Sequence, residues 1–173
     1  MGFDPTDLVP FGKGFALPKK FSAAISTKDL PYRVEVEVVL EGHRFICEEL
    51  QARRKKGGPP VTSEGIRRLP MRDLIRTAAL GNVFRVRDNP HASGGVVITP
   101  VQHLSFRRFA KDGPTDEALE HVALAYRLAY ACNDSPTKAV EDAFRLPRST
   151  AERWVSRARD LELIDIPDPR RRT

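Results

Sequence analysis

The sequence predicts an α+β protein, with an N-terminal β-hairpin and short helices followed by a C-terminal three-helix unit. Between Tyr32 and Leu40, β-branched residues alternate with charged ones, which is the period of a strand with one buried face. From Thr115 onward the apolar residues instead recur at helical spacing. Proline, glycine and capping residues divide this second region into three segments.

The first segment, residues 1–31, is rich in residues that exclude long helices. It contains four prolines, with Gly12 and Gly14 between them. Four phenylalanines indicate that it packs against the rest of the protein. We therefore expect residues 1–31 to form an irregular but packed arm.

Residues 32–110 are expected to form a domain built on a β-hairpin. The strand from Tyr32 to Leu40 is followed by a turn at Glu41-Gly42 and by a second strand, HRFICEEL. A basic loop over 52–60 then leads to a short helix capped by Thr62 or Ser63. A helix with the sequence MRDLIRTAAL follows between Pro70 and Gly81. Two further strands, NVFRVRD and GGVVITPV, are expected on either side of an Asn89-Pro90 turn.

Residues 115–166 are expected to form a helical domain, followed by a disordered tail over 167–173. Thr115 caps a long helix that ends at Asn133-Asp134. Ser135 is suited to cap a second helix, which extends from Pro136 to Phe144. After the break at Leu146-Pro147, a last helix extends from Arg148 to about Leu161.

The last helix has an apolar face and a polar face. On a period of 3.6 residues its apolar side chains fall together and are expected to pack on Val140, Phe144 and Leu146. Trp154 is interpreted as part of this core and not as a platform for base stacking. The apolar face comprises Ala151, Trp154, Val155, Ala158 and Leu161. The opposite face comprises Ser149, Glu152, Arg153, Ser156 and Asp160, flanked by Arg157 and Arg159.

Two short helices joined by a tight turn, the second with a polar outer face, are typical of a helix-turn-helix. Residues 136–161 resemble the motif of bacterial repressors and of resolvase and transposase DNA-binding domains. Val140, Phe144, Leu146 and Trp154 match its apolar positions, and Pro147-Arg148-Ser149-Thr150 resembles the head of its recognition helix. The family usually has a small residue and a turn glycine where this chain has Glu141 and Arg145; Glu141 is therefore expected to point outward.

The resemblance implies two sets of DNA contacts. Arg148, Ser149, Glu152 and Arg153 are candidates for base edges, since arginine pairs with guanine and glutamate accepts from cytosine. Lys138, Thr150, Ser156, Arg157 and Arg159 are candidates for phosphates, together with N–H groups at the start of the helix. The alternative is a helical hairpin whose arginines only keep the protein soluble.

The basic excess lies elsewhere in the chain. Of a net charge of +6, residues 44–87 hold 11 Lys/Arg against 4 Asp/Glu. Arg53, Arg54, Lys55 and Lys56 are interpreted either as a mobile finger along the phosphate backbone or as an ordinary solvated loop. Four further arginines either extend this basic surface or pair with acidic neighbours. These are Arg67, Arg68, Arg72 and Arg76, with Glu48, Glu49, Glu64 and Asp73 as the possible partners.

The N-terminal half has a second possible use, which is dimerisation. Repressor half-sites occur in pairs because the protein is paired, and the alternating valine strand can add to its mate across a twofold axis. The arrangement is also similar to a group of bacterial proteins with a β-rich front end and a C-terminal helix-turn-helix. No activity carries over from that similarity.

Signals for other classes of protein are weak. Cys47 and Cys132 are too far apart for a zinc site or a disulfide framework, and the four histidines lack metal-ligand spacing. We therefore predict no active site, metal or cofactor. No apolar run is long enough to span a membrane and no signal peptide is evident, so a cytoplasmic location is expected.

The function expected from the sequence is sequence-specific binding of double-stranded DNA, by a transcriptional regulator that acts as a homodimer. No small-molecule effector is evident. One alternative is an accessory factor for packaging or recombination in a phage or mobile element. Another is an adaptor whose helical domain binds an acidic protein.

Overall fold

The computed structural model describes residues 7–89, 95–101, 106–111 and 113–167. Their secondary structure is mixed α+β, in line with the predicted class. The strands are β1 (Leu8–Pro10), β2 (Phe15–Pro18), β3 (Lys20–Ile25), β4 (Tyr32–Glu41), β5 (Arg44–Arg54), β6 (Phe84–Asp88) and β7 (Val96–Pro100). The helices are α1 (Ser63–Arg67), α2 (Met71–Leu80), α3 (Arg107–Ala110), α4 (Asp116–Ala131), α5 (Pro136–Phe144) and α6 (Arg148–Asp160).

The strands form two antiparallel sheets, one with the order β1-β2-β6-β7 and one with the order β3-β4-β5. The chain passes from the first sheet to the second at Lys19, between β2 and β3. The interpretation of residues 1–31 as an irregular arm was therefore wrong for its described part, which supplies three strands. Phe11, Phe15 and Phe21 are buried, as their number in this segment indicated. Short strands broken by prolines lack the long alternation that identifies a strand in a sequence.

The predicted hairpin is confirmed as β4 and β5, joined at Glu41-Gly42. A bulge between Glu37 and Val38 shifts the pairing by one residue. The second strand is longer than expected, because β5 extends to Arg54. The basic loop thus begins only after Arg54. The strands predicted around Asn89 are confirmed as β6 and β7, while Pro90 lies outside the described residues, as do residues 168–173 of the predicted tail.

The short helix α1 is capped as predicted, because the Thr62 side chain accepts a hydrogen bond from the backbone N–H of Gly65. Gly65 also lets the hairpin pack closely, since a Cβ atom there would lie 1.9 Å from the Tyr32 hydroxyl. That hydroxyl donates to the Pro60 carbonyl at 3.0 Å. Gly81 follows the last residue of α2, also as predicted.

Two hydrophobic cores occupy the described structure, and α4 contributes to both. Leu124 and Leu128 of α4 pack with both sheets and α2. Val122 and Tyr126 pack with α5 and α6. The sequence predicted a single apolar stripe on this helix, but 12 of its 16 residues are buried. A helix buried nearly all round lies inside a protein rather than on its surface.

Candidate nucleic-acid interface

Helix α5 has the predicted bounds and presents one apolar side to α4 and α6. Its residues Val140 and Phe144 are almost completely buried, with exposed fractions of 0% and 1%. Ser135 is at the N-cap position, although its side chain makes no capping hydrogen bond. Pro136 takes the first turn, where a missing N–H costs nothing.

The turn after α5 contains a residue in a left-handed conformation. Arg145 has φ 54° and ψ 44°. The backbone N–H groups of Arg145 and Leu146 both donate to the carbonyl of Glu141, which closes the end of the helix. Glycine normally occupies such a position because it lacks the Cβ that opposes it. The chain therefore adopts here the conformation of a turn glycine without having one.

One face of α6 anchors the helix in the second core. Ala151, Trp154, Val155 and Ala158 are all buried. The indole of Trp154 meets the ring of Phe144 edge-on, with centroids 5.9 Å apart. Trp154 is thus a core residue, as expected. The assignment of Leu161 to the same stripe was wrong: it follows the last residue of the helix and is 49% exposed.

The opposite face of α6 is free. Ser149, Arg153, Ser156 and Arg157 are exposed, and their spacing puts them on one side of the helix. Within the described residues, neither arginine forms an ion pair. The first turn of α6 adds donors to this face. Its backbone N–H groups receive no capping hydrogen bond, because the N-cap residue Pro147 has no side-chain acceptor. The face thus offers two unpaired cations, two hydroxyls and uncapped N–H groups.

Other predicted contacts on the helices already have protein partners. Arg148 Nε donates to Glu152 Oε1 at 3.1 Å, so two candidates for base edges bind each other. Lys138 pairs with Glu141 at 2.9 Å and with Asp142 at 3.0 Å. Glu141 is partly exposed, in line with the expectation that it points outward.

Thr150 is partly buried, next to the exposed face of α6. Of the predicted contacts on α6, Arg159 alone turns inward. Its guanidinium donates to the Tyr126 hydroxyl at 2.7 Å and to the Ile166 carbonyl at 3.2 Å. It also lies 5.0 Å from the centre of the Tyr126 ring. The prediction that Arg159 holds a phosphate is therefore wrong, because its donors fix the chain beyond α6 instead.

The basic segment Arg53–Lys56 begins at the end of β5 and does not form the mobile finger that was one of its two interpretations. Arg53 and Arg54 lie on β5, where Arg54 Nε donates to the Gly58 carbonyl at 2.7 Å. Lys55 donates to the carbonyls of Thr27 and Leu30, so its ammonium group ties this segment to the chain before β4.

The other two cations of this segment are exposed. Arg53 is opposite Arg33 of β4 and hydrogen-bonds to Gln51 at 3.1 Å. Lys56 is exposed, with no partner within the described residues. Of the four predicted contacts, Arg53, Arg54 and Lys56 are exposed, whereas Lys55 is partly buried.

The arginines of the two short helices mostly pair with acids. Arg68 binds Glu64, and Arg76 binds both Asp73 and Asp134. Arg72 also binds Asp134, at 3.1 Å. Sequence spacing identifies the partners Glu64 and Asp73, but Asp134 lies beyond α4 and no local signal connects it with α2. Of the four arginines, Arg67 alone is unpaired within the described residues.

Buried polar groups near the second core serve the packing. His121 contacts Phe109, with ring centroids 3.8 Å apart, and its Nδ1 donates to the Glu117 carbonyl at 2.8 Å. Burial lowers the pKa of His121, which keeps the ring neutral at pH 7. Burial raises the pKa of the Cys132 thiol to about 12, so the thiol is protonated at pH 7.

Within the ranges that the structure describes, no group of three or more His, Cys, Asp or Glu residues is placed to hold a metal ion. Two of the four histidines, His91 and His103, lie outside those ranges. Nor does any helix in them have the length and apolarity that crossing a bilayer requires.

The valine-rich strand β4, which was expected to pair with a second copy, is not at the edge of its sheet. β4 is the central strand of its sheet and pairs with β3 on one side and β5 on the other, so it has no free edge. β7 is an edge strand of the other sheet, and Val96, Val97 and Ile98 on it are exposed. The apolar alternation of β4 reflects burial, which an edge strand and a central strand share.

Comparisons with protein-family models, with curated proteins and with solved structures find no match to this chain. The functional interpretation therefore depends on the chain's own residues.

Proposed function

We propose that residues 136–160 form a helix-turn-helix that binds double-stranded DNA, with α6 in the major groove. One observation carries the proposal: the buried face of α6 is fixed in the core while the opposite face holds Arg153 and Arg157 exposed and unpaired. A rigid helix with a free polar face is what reading of base edges needs. The left-handed turn at Arg145, where the motif usually has glycine, also supports it.

The contacts divide by position along α6. Ser149 and Arg153 are proposed to meet base edges, Arg153 through the paired acceptors of guanine. Arg157, Ser156 and the N–H groups of the first turn are proposed to bind phosphates. Arg148 can join the interface and keep its hydrogen bond to Glu152, because that bond uses only its Nε. A contact between Glu152 and a base would compete with this exposed pair, which contributes about 0.3–0.5 kcal/mol.

We further propose that the protein acts as a dimeric transcriptional regulator. A second copy would extend the sheet at β7, because this edge strand presents three exposed aliphatic side chains. The test is sedimentation of the protein and of a Val97→Lys variant. A lysine on an edge strand opposes edge-to-edge pairing, so a dimer that forms there should dissociate. A dimer unaffected by Val97→Lys would exclude this edge.

The test of DNA binding is selection from a random pool of duplexes at physiological salt. A DNA reader enriches one motif, and a dimer enriches a palindrome with half-sites about 10 bp apart, or a multiple of that. Binding without enrichment would indicate an accessory factor that contacts only the phosphate backbone. Failure to retain any duplex would contradict DNA binding and leave the adaptor function.

A further inference from the structure

A pocket of about 340 Å³ lies where the first sheet, the β4–β5 turn, α4 and the chain after α6 meet. It is separate from the exposed face of α6. Phe11, Leu40 and Ile166 make its walls partly apolar. Among its charged side chains, cations outnumber carboxylates. Lys19 and Arg127 line it against a single carboxylate, Asp165. The volume is at the lower end of the range for small-molecule sites.

Arg127 is the central group of this pocket. It is 8% exposed, which is rare for arginine unless the side chain is fully paired. Its Nη2 donates to the Leu163 carbonyl at 3.2 Å and also pairs with Asp165. Its Nε is buried with no acceptor within the described residues. Gly12 packs directly over this atom: a Cβ there would lie 3.0 Å from Nε.

The partner of Arg127 is a weak one. The Asp165 side chain is 66% exposed, so water competes for its carboxylate and the ion pair contributes little. Arg127, in contrast, keeps its desolvation cost whether or not Asp165 is present. A ligand carboxylate that buries its own apolar body against Phe11 and Ile166 would offer Arg127 a better-shielded partner than Asp165.

A second, partly buried arginine has a better-shielded carboxylate partner, although its Nε and Nη1 also lack acceptors within the described residues. Arg85 borders two larger pockets on the other side of β2 and β6. It is paired with Glu120 at 2.6 Å, and both side chains are 16% exposed. Arg87 next to it pairs with Glu117. The acids there match the arginines in number and in burial, whereas at Arg127 they do not.

We propose that the pocket at Arg127 binds a small organic carboxylate with an apolar body, such as a branched aliphatic or aromatic acid. The ammonium group of Lys19 at the rim adds a second attraction for an anion. Binding competes with Asp165 and so acts on residues 163–166, which also receive the hydrogen bond from Arg159 of α6. No sequence motif identifies such a site, because its residues come from four distant segments.

The test uses the full chain without DNA, so its result is independent of the proposed function. Benzoate and 3-methylbutanoate are titrated while the backbone amide signals of Phe11, Gly42 and Ile166, which line the pocket, are followed by NMR. Both acids are expected to shift these signals saturably, while benzamide, the neutral analogue of benzoate, should bind more weakly. Inorganic phosphate tests whether any anion suffices. No saturable shift with either acid, or equal shifts with benzamide, would overturn the proposal.

Two exposed substitutions avoid the risk that an Arg127 variant does not fold. Asp165→Asn removes the competing carboxylate and should tighten benzoate binding about two- to fivefold. Lys19→Gln should weaken it by a similar factor. Glu162→Gln is the matched control, because it makes the same charge change after α6 and does not line the pocket. If Glu162→Gln tightens binding as much as Asp165→Asn does, the effect is one of net charge and the assigned pocket is wrong.

Discussion

The two basic segments of this chain differ in what holds their charges. Around β5 the arginines and lysines are dense in sequence, yet Arg54 and Lys55 donate to backbone carbonyls nearby. On α6 the charges are fewer, but Arg153 and Arg157 stand clear of any acid within the described residues.

This difference shows that charge density is a poor guide to available charge. The ammonium group of Lys55, just beyond the end of β5, is hydrogen-bonded to backbone carbonyls and is therefore less available to an external anion. An arginine on a helix lacks an acidic neighbour on its own helix when the residues three and four positions away are not acidic. Arg148 fails that condition because of Glu152, and Arg153 meets it. Arg157 is unpaired within the described residues although Asp160 follows it by three positions.

Phe144→Ala should remove the support that keeps the polar face of α6 outward. Truncating a fully buried phenylalanine typically costs about 3–5 kcal/mol of unfolding free energy. The measurement is urea denaturation followed by the fluorescence of Trp154, the sole tryptophan, whose ring contacts Phe144. Leu161→Ala is the control, because Leu161 is half exposed and should change stability by less than about 0.5 kcal/mol. Equal losses would restore Leu161 to the apolar stripe.

Arg153→Ala should lower discrimination between the selected duplex and a scrambled one by about 1–3 kcal/mol, the value of a bidentate base contact. The measurement is fluorescence anisotropy at fixed salt with both duplexes. Arg67→Ala provides the control, as Arg67 is an exposed, unpaired arginine of α1. Should the two variants lose the same affinity for both duplexes, α6 does not read sequence.

Lys55→Met should reduce stability by about 1.5–3 kcal/mol, the range for hydrogen bonds to a charged group. Its ammonium group bonds to two carbonyls, whereas the neighbouring Lys56 is exposed and bonds to none of the described residues. Lys56→Met should therefore leave the denaturation midpoint nearly unchanged. If Lys55→Met weakens DNA binding without lowering the midpoint, Lys55 is a phosphate contact and the assigned tether is wrong.

Arg145→Gly should stabilise the protein by up to about 1 kcal/mol, because a left-handed conformation costs an L-residue 1–2 kcal/mol and glycine regains part of this. Arg157→Gly makes the same change inside α6 and should destabilise by about 1 kcal/mol. Thermal unfolding of both variants measures the opposite signs. A loss of stability at Arg145 would mean that its side chain makes a contact that outweighs the strain.

Local patterns explain most of what the sequence predicted correctly. Alternation identified β4, while caps and breakers fixed the bounds of α5 and α6 within one residue. The errors concern contacts across the chain. Arg159 binds Tyr126, which precedes it by 33 residues, and the helical period of α6 carries no trace of this partner. The strands β1 to β3 were missed because they are short and are stabilised by pairing with other strands. β1 pairs with β2, and β2 also pairs with β6, which lies far along the chain.

The position of α4 has a consequence for any attempt to dissect the molecule. A fragment that begins at residue 113 would keep Val122 and Tyr126 covered but would leave Leu124, Leu128 and Ala131 facing water. Such a fragment would self-associate along that bare stripe. The interior amides of α4 should be the slowest in the chain to exchange with deuterium, since they open only when both halves come apart together.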